Sequence, residues 1–195
     1  MSQISIVIPA AGASRRMGDR DKLLELVDGV PLLRSVAERA LTVSNTVVVT
    51  LPVEAMARAE TLVDLPVLQV PVPDAADGMS ASLRRAAQAV PKTCDGMMIL
   101  PADMPDLTTD DLRQIVSAFD DASGEFLVQA TSTAGHPGHP VIFPRDLISQ
   151  FRTLTGDAGA KIILQANRSR IIRVPLPAEH ALTDLDTPDA WTLWR

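Results

Sequence analysis

The chain has 195 residues, of which 46% are hydrophobic and 22% are charged, with a formal net charge of −6 and a pI near 5.0. This length and apolar content suffice for one buried core, so we expect a single domain over residues 1–195. The acidic balance argues against a nucleic-acid partner, because a phosphate backbone requires a basic face. Cys94 is the only cysteine, which excludes an intrachain disulfide. With apolar runs too short for a bilayer and no leader segment in view, we expect a cytoplasmic protein with no membrane partner.

Short apolar runs alternate with helical patterns through the first half of the chain. In chain order, strands are predicted at residues 4–8, 46–51, 67–72 and 97–100, and helices at 31–40, 53–62, 78–90 and 108–119. Further on, strands are predicted at 126–130, 141–143 and 171–174, helices at 145–154 and 158–165, and a Gly/Pro/His loop before residue 141. This alternation predicts an α/β fold with parallel β-α-β units. Ligands bind beyond the carboxyl ends of such strands, so the loops after residues 8, 51, 72 and 100 are the expected functional edge.

Small residues leave the first predicted strand and lead into a basic loop, residues 8–24, which reads IPAAGASRRMGDRDKLL. Small residues let backbone N–H groups approach phosphates closely, and the cations neutralise the charge. The loop is not a Walker motif, because Asp19 rather than Lys-Ser/Thr follows Gly18, and it lacks the Gly-x-Gly-x-x-Gly pattern of dinucleotide sites. The alternative is a surface turn with solvated arginines. That alternative accounts for the charges but not for the small residues before them.

Two acidic strings are candidate metal sites. Asp103 lies in the string LPADMP directly after a predicted buried strand, a position suited to Mg²⁺, although it could simply shape the turn before Pro105. Asp184 and Asp186 alternate in the string DLDTPD and would share one face of an extended segment, where like charges need a cation between them. The same string also reads as a helix start with Thr187 as N-cap, and both interpretations can hold together.

Three further strings carry weaker signals. The string DGMSASLR, residues 77–84, places hydroxyls at a helix start, where they could contact a nucleotide, or where Asp77 or Ser80 could cap the helix. The string GHPGHP, residues 135–140, offers His-x-x-His but no third ligand, which argues against zinc. Asp157, in the string TGDAGAK, is either an N-cap or a residue near a substrate. Cys94 is expected to pack in the core.

These strings together resemble those of the MobA-like NTP transferase family, and in particular its molybdenum cofactor cytidylyltransferases. The basic loop resembles the family signature Leu-Ala-Ala-Gly-x-Ser-x-Arg-Met-Gly-x-x-Lys, and the string DMP at residues 103–105 resembles the family's metal motif. The strings GMSASL, GHP, GDAGAK and DLDTPD match others in the family's order. One departure is that three residues separate Gly18 from Lys22, where the family usually has two.

The resemblance implies a Rossmann-like nucleotidyltransferase fold with a mostly parallel mixed sheet flanked by helices. It implies Mg²⁺-dependent transfer of CMP from CTP to the terminal phosphate of molybdopterin, with release of pyrophosphate and a molybdenum hydroxylase as recipient of the product. The implied catalytic residues are Arg16, Lys22 and Asp103, with Asp103 and either Asp184 or Asp186 as metal ligands. The implied nucleotide-binding residues are Ala10, Ala11, Gly12, Ser14, Arg16, Met17, Gly18, Lys22, Ser80 and Ser82. The implied acceptor contacts are His139 and Asp157.

Three alternatives stay open. Guanylyl relatives usually carry Ala-Gly-Gly where this chain has Ala10-Ala11-Gly12, and this difference favours CTP over GTP. Neighbouring families transfer nucleotides to sugar or alditol phosphates. A noncatalytic nucleotide- or cofactor-binding module of the same fold is favoured only by the unusual spacing before Lys22.

Overall fold

The computed structural model describes residues 2–156 and 159–195. The strands are β1 (Ile4–Pro9), β2 (Leu26–Val27), β3 (Val30–Pro31), β4 (Thr46–Leu51), β5 (Leu68–Pro71), β6 (Gly96–Ile99), β7 (Leu127–Thr131), β8 (Pro137–Pro144) and β9 (Ile171–Pro175). The α-helices are α1 (Leu32–Leu41), α2 (Met56–Glu60), α3 (Met79–Ala89), α4 (Thr109–Asp121), α5 (Arg145–Ile148), α6 (Lys161–Ala166) and α7 (Pro188–Trp194).

Seven strands form one sheet in the order β5-β4-β1-β6-β8-β7-β9, while β2 and β3 form a separate hairpin. Every neighbouring pair in the large sheet is parallel except the two that involve β8. The predicted α/β fold with a mostly parallel mixed sheet is confirmed. Because β1, β4, β5 and β6 run in the same direction, their carboxyl ends share one edge, where the loops predicted to be functional also meet.

Successive side chains of the sheet point to opposite faces and pack into two hydrophobic cores, one on each face. In β1, Ile6 and Ile8 pack with α1, α4 and α7, whereas Val7 packs on the other face with α3, α5 and α6. This period of two, with both faces covered, explains the continuous apolar run of the first strand. Cys94 is buried in the second core, as predicted. Within the described ranges no helix combines the length and apolar character needed to cross a membrane.

Two predicted helices and one predicted loop differ clearly from the structure. The helix predicted at 53–62 shrinks to α2, because Ala55 closes a turn onto the Pro52 carbonyl and enters α2 with non-helical dihedral angles. The helix predicted at 145–154 is α-helical only over α5 and continues as a 3₁₀ turn at Ser149–Thr153. The loop predicted before residue 141 was wrong from residue 137 onward, because β8 already pairs with β7 there.

Helix starts show which of the predicted caps form. The predicted cap of α3 by Asp77 or Ser80 was wrong: Gly78 is the N-cap, with φ of 93°, and none of the described side chains caps the helix. Thr187 does cap α7, accepting a hydrogen bond from the Ala190 N–H, with Pro188 in the first turn as predicted. At α4, Thr108 and Asp111 form a reciprocal capping box.

The fold leaves no room for a side chain at Gly138. A Cβ there would overlap the carbonyl oxygen of Ala181 and lie 2.7 Å from its carbonyl carbon, and this backbone is held by a hydrogen bond from the His139 N–H. We therefore expect Gly138→Ala to lower the free energy of unfolding by about 3 kcal/mol, since backbone atoms cannot rotate away. Gly12→Ala, which would meet nothing within 4 Å, is the control. Urea unfolding of both variants tests this, and equal midpoints would contradict it.

Candidate active site

The basic loop, called the first loop from here on, leaves β1 at the carboxyl edge of the sheet, and buried side chains anchor it in the core. Ala10 and Ala11 are buried, and the Met17 side chain is inserted in the core, while Gly12 is exposed. Ser14 and Gly18 both adopt positive φ, 49° and 66°, so the chain turns sharply on each side of the short 3₁₀ segment Arg15–Met17. The basic string is thus a shaped loop whose arginines face solvent.

Lys22 is the point at which three segments of the chain meet. Its Nζ donates to Asp103 Oδ2 at 2.5 Å and also to Asp186 Oδ1. Arg16 donates to the other oxygen of Asp186. Only 15% of the Lys22 side chain is exposed, which makes these contacts stronger than surface ion pairs. The longer spacing after Gly18 therefore does not prevent Lys22 from reaching the aspartates.

The two acidic strings are joined through their backbones. The buried Leu185 donates its N–H to the Asp103 carbonyl at 3.0 Å, which places Asp184 and Asp186 on the side facing Asp103. One carboxylate oxygen from each aspartate lies within 4.8 Å of the others. This spacing suits the oxygen ligands of a small divalent cation. Among the described residues, this is the one group of three or more acidic, His or Cys side chains arranged in this way.

Within the acidic group, the pKa values of Asp184 and Asp186 are shifted in opposite directions. Burial raises the pKa of Asp184, and the neighbouring carboxylates Asp186 and Asp103 raise it further. Burial also opposes ionisation of Asp186, but Lys22, Asp184 and Arg16 together lower the pKa of Asp186. Although burial opposes it, the two carboxylates raise the pKa of Lys22, so its ammonium stays charged. Within the pair formed by Asp184 and Asp186, the surroundings thus raise the pKa of Asp184 and lower the pKa of Asp186.

Two clefts flank Gly12. The loop cleft, about 400 Å³, is lined by Ala11, Gly12, Ala13, Arg15 and Ser82, together with residues after β4 and β5. The aspartate cleft, about 380 Å³, is lined by Lys22, Asp103, His139 and Lys161, with Leu83, Ile99 and Leu164 among its apolar walls. Ala10 lines the aspartate cleft, and Gly12 lines both. The loop therefore separates a mostly small-residue cleft from one that holds the ionisable groups.

His139 lies in β8, where its Nδ1 is buried without a hydrogen-bond partner among the described residues. Burial lowers the pKa of His139, and this effect exceeds the opposing attraction of Asp103. The ring is therefore neutral, and the residue lines the aspartate cleft while its Nδ1 stays buried. His136, in contrast, is exposed.

A lowered His139 pKa makes stability depend on pH in a defined direction. In the unfolded chain the pKa of His139 is about 6.5, so the unfolded chain binds a proton at this residue more readily than the folded chain does. The contribution of neutral His139 to the free energy of unfolding is therefore complete above about pH 6.5 and is lost as the pH falls below it. We expect the free energy of unfolding to fall less steeply between about pH 7 and pH 5 in His139→Gln than in the wild type. Urea titrations at several pH values measure this. His136→Gln is the control, and parallel curves for wild type and His139→Gln would contradict the prediction.

The remaining predicted residues lie in varied surroundings. The Ser80 side chain is fully buried, its Oγ has no partner among the described residues, and it lines neither cleft. Ser82, two residues on, lines the loop cleft. The Ser14 hydroxyl is engaged within the loop by Asp21 and Arg58. Asp157 lies outside the described residues.

Three residues of this region were missed by the sequence analysis. Arg58 and Asp21 form a buried ion pair behind the first loop, and Lys161 lines the aspartate cleft. Asp21 directly precedes Lys22 and could have been noticed as the residue that lengthens the spacing. No sequence pattern marks Arg58, which is one basic residue in an ordinary helical segment. Lys161 ends the string GDAGAK, which was singled out only for Asp157.

Residues 6–171 match the MobA-like NTP transferase domain. The chain belongs to the MobA-like NTP transferase family. Members of this class transfer nucleotidyl groups, so the predicted transferase class is confirmed at the level of the family. A relative from Cupriavidus metallidurans, named molybdenum cofactor guanylyltransferase, is 26% identical over 190 residues, covering 95% of this chain and 91% of the relative.

Solved structures resemble this MobA-like chain over nearly their whole length. The crystal structure of Rv0371c from Mycobacterium tuberculosis H37Rv has a TM-score of 0.85 and 26% identity, covering 98% of this chain and 96% of that one. A structure of the same mycobacterial protein in complex with manganese has a TM-score of 0.80 and 23% identity, covering 98% and 97%. These likenesses show that this MobA-like NTP transferase shares the fold of the solved structures over nearly its whole length.

Proposed function

We propose that residues 1–195 form a single NTP transferase domain that moves CMP from CTP to the terminal phosphate of a molybdopterin-type acceptor, releasing pyrophosphate. The observation that carries the proposal is the convergence of Lys22, Asp103 and Asp186 at the aspartate cleft. An ammonium and a carboxylate group held together at a sheet edge suit phosphate chemistry. The first can neutralise phosphates, and the second can hold a metal ion.

The loop cleft is the proposed nucleoside site. Ala11, Gly12 and Ala13 present little side chain there, so a ribose and base can approach the backbone, with Ser82 as a hydroxyl partner. Arg16, whose side chain is 70% exposed, is free to leave Asp186 and bind phosphate oxygens bidentately. Gly12 lines both clefts, so a triphosphate crossing it would reach Lys22.

The aspartate cleft is the proposed acceptor site. Its apolar walls suit a flat heterocycle, and the neutral His139 ring lines the same cleft as a proposed acceptor contact. Lys161 is exposed at the start of α6 and lines the same cleft, where it can bind the acceptor phosphate. Asp157, near α6 in sequence, remains a proposed acceptor contact.

The residues present fit a divalent cation. Asp103, with Asp184 and Asp186, would hold Mg²⁺, which would neutralise charge on the reacting phosphates when bound. Lys22 would then exchange its carboxylate partners for phosphate oxygens and stabilise the charge that develops on the leaving pyrophosphate. The reaction is a displacement at phosphorus, so these side chains act by positioning and electrostatics.

Two nucleotides, CTP and GTP, are each supported as the substrate by a different observation. The string Ala10-Ala11-Gly12 resembles the cytidylyl branch, which favours CTP. The name of the Cupriavidus relative favours GTP instead, and guanylyl transfer is our second candidate. A molybdenum hydroxylase is the proposed recipient of the product, and the cytoplasm the proposed compartment.

The test is thermal unfolding with CTP, GTP, ATP and UTP, each with Mg²⁺. A ligand that binds the native state raises its stability by about 2.7 kcal/mol at a hundredfold excess over Kd. Stabilisation by CTP alone supports the cytidylyl proposal, and stabilisation by GTP alone supports the second candidate. Pyrophosphate release with a molybdopterin acceptor then separates an enzyme from a noncatalytic module. No stabilisation by any nucleotide, together with no release, would overturn the proposed function.

A further inference from the structure

Arg58 extends from α2 to the underside of the first loop and is only 4% exposed. Its Nη1 donates to the carbonyl oxygens of Ala10 at 2.6 Å and Gly12 at 2.8 Å. Its Nε and Nη2 donate to the two carboxylate oxygens of Asp21 at 2.6 and 2.8 Å, and Nη2 also donates to Ser14 Oγ at 3.1 Å. A guanidinium has five N–H donors, and here all five have partners within the loop.

These contacts set the direction of the loop's peptide groups. The peptide bonds of the loop are trans, so the N–H that follows each bound carbonyl points away from Arg58. These are the N–H groups of Ala11 and Ala13, both of which line the loop cleft. Within residues 2–156 and 159–195, neither N–H donates a hydrogen bond. The loop therefore keeps two donors available on the side opposite the guanidinium.

The same ion pair holds the end of the loop. Asp21 accepts further hydrogen bonds from Ser14 Oγ at 3.2 Å and from the Leu23 N–H at 3.0 Å. Burial opposes ionisation, but the contacts with Arg58, Leu23 and Ser14 lower the pKa of Asp21. Lys22, the next residue, extends to Asp103 instead. The residue that lengthens the spacing after Gly18 is thus used to tie the loop to α2.

We propose that Arg58 and Asp21 are positioning residues that present the Ala11 and Ala13 N–H groups and the Lys22 ammonium to the phosphates of a nucleoside triphosphate. This inference rests on the proposed function. A buried ion pair by itself contributes little net stability, and every contact of Arg58 described above is made to the loop rather than to another core element. Its effect is therefore on the shape of the loop, which a less complete set of hydrogen bonds would leave variable.

Arg58→Lys and Asp21→Asn test the proposal. Lysine keeps the charge but cannot form the five-donor fork, and asparagine keeps the shape but loses the charge. We expect either change to weaken binding of the wild type's preferred nucleotide with Mg²⁺ about tenfold or more in calorimetry, since small misplacements of reacting groups are costly. In steady-state assays the KM for the nucleotide should rise while the KM for the acceptor stays unchanged.

Arg34→Lys and Asp64→Asn are matched controls. Arg34 also makes two hydrogen bonds to one aspartate, Asp64, and one to a backbone carbonyl, but this pair lies at the surface away from both clefts. Their nucleotide affinity should equal that of the wild type.

The outcomes separate the two proposals. If the wild type binds no nucleoside triphosphate, the proposed function fails whatever the variants do. If the wild type binds and both variants bind with the same Kd and KM, the positioning role is overturned and the proposed function stands. A lower kcat with both KM values unchanged indicates a smaller active fraction and also overturns it. Should Arg58→Lys fail to fold, Asp21→Asn, whose side chain is partly exposed, decides.

Discussion

Asp103→Asn is expected to lower kcat about a hundredfold or more while leaving the unfolding midpoint near that of the wild type. Asp103 lies directly after β6, where its carboxylate accepts from Lys22 and belongs to the acidic group of the aspartate cleft. Asparagine preserves size and hydrogen bonding but removes the charge that would hold a divalent cation. Release of pyrophosphate from the preferred nucleotide and acceptor measures the effect.

The opposite end of the same strand offers the control. Asp95 precedes β6 and pairs with Arg145 at the surface. Asp95→Asn removes the same charge at a distance from both clefts, and its turnover should be unchanged. Near-normal turnover in Asp103→Asn would overturn the assignment of this site.

Lys22→Ala should lower turnover by a similar factor, about a hundredfold or more, but with a distinct signature in the protein without nucleotide. The Lys22 ammonium neutralises Asp103 and Asp186 in the structure. Its removal leaves three close carboxylates facing one another, and like charges at this distance favour an added cation. We therefore expect Mn²⁺ to bind the nucleotide-free Lys22→Ala protein more tightly than the wild type, whereas Asp103→Asn should bind it more weakly.

Calorimetric titration with Mn²⁺ measures both directions. Arg20→Ala is the matched control, because it removes one positive charge from the same loop at an exposed side chain that pairs with Glu25 at 3.4 Å. That control should leave turnover and Mn²⁺ affinity unaltered. Weaker Mn²⁺ binding in Lys22→Ala would mean that the lysine supports the acidic group rather than occupying the place of a cation.

Much of the fold could be predicted from local patterns. The helix predicted at 31–40 is observed as α1, and apolar residues at helical spacing form its buried face: Leu32, Leu33, Val36, Ala37 and Ala40. Short apolar runs marked β1, β4 and β6. The rule that ligands bind at the carboxyl ends of parallel strands placed Asp103 beside the first loop. These features depend on residues close together in the chain, whose periodicity states which way each side chain faces.

Other features depend on contacts between distant segments and were settled only by the tertiary structure. His139 was expected in a loop, but pairing with β7 and contact with Ala181 make it part of β8. Ser80 was expected to cap α3 or contact a ligand, yet the way α3 packs against the sheet buries it. Arg58 carried no signal at all, because a buried guanidinium is recognisable only when its carbonyl and carboxylate partners, 37 to 48 residues away, are seen around it. Periodicity can state which face of a helix is buried, but not what that face meets.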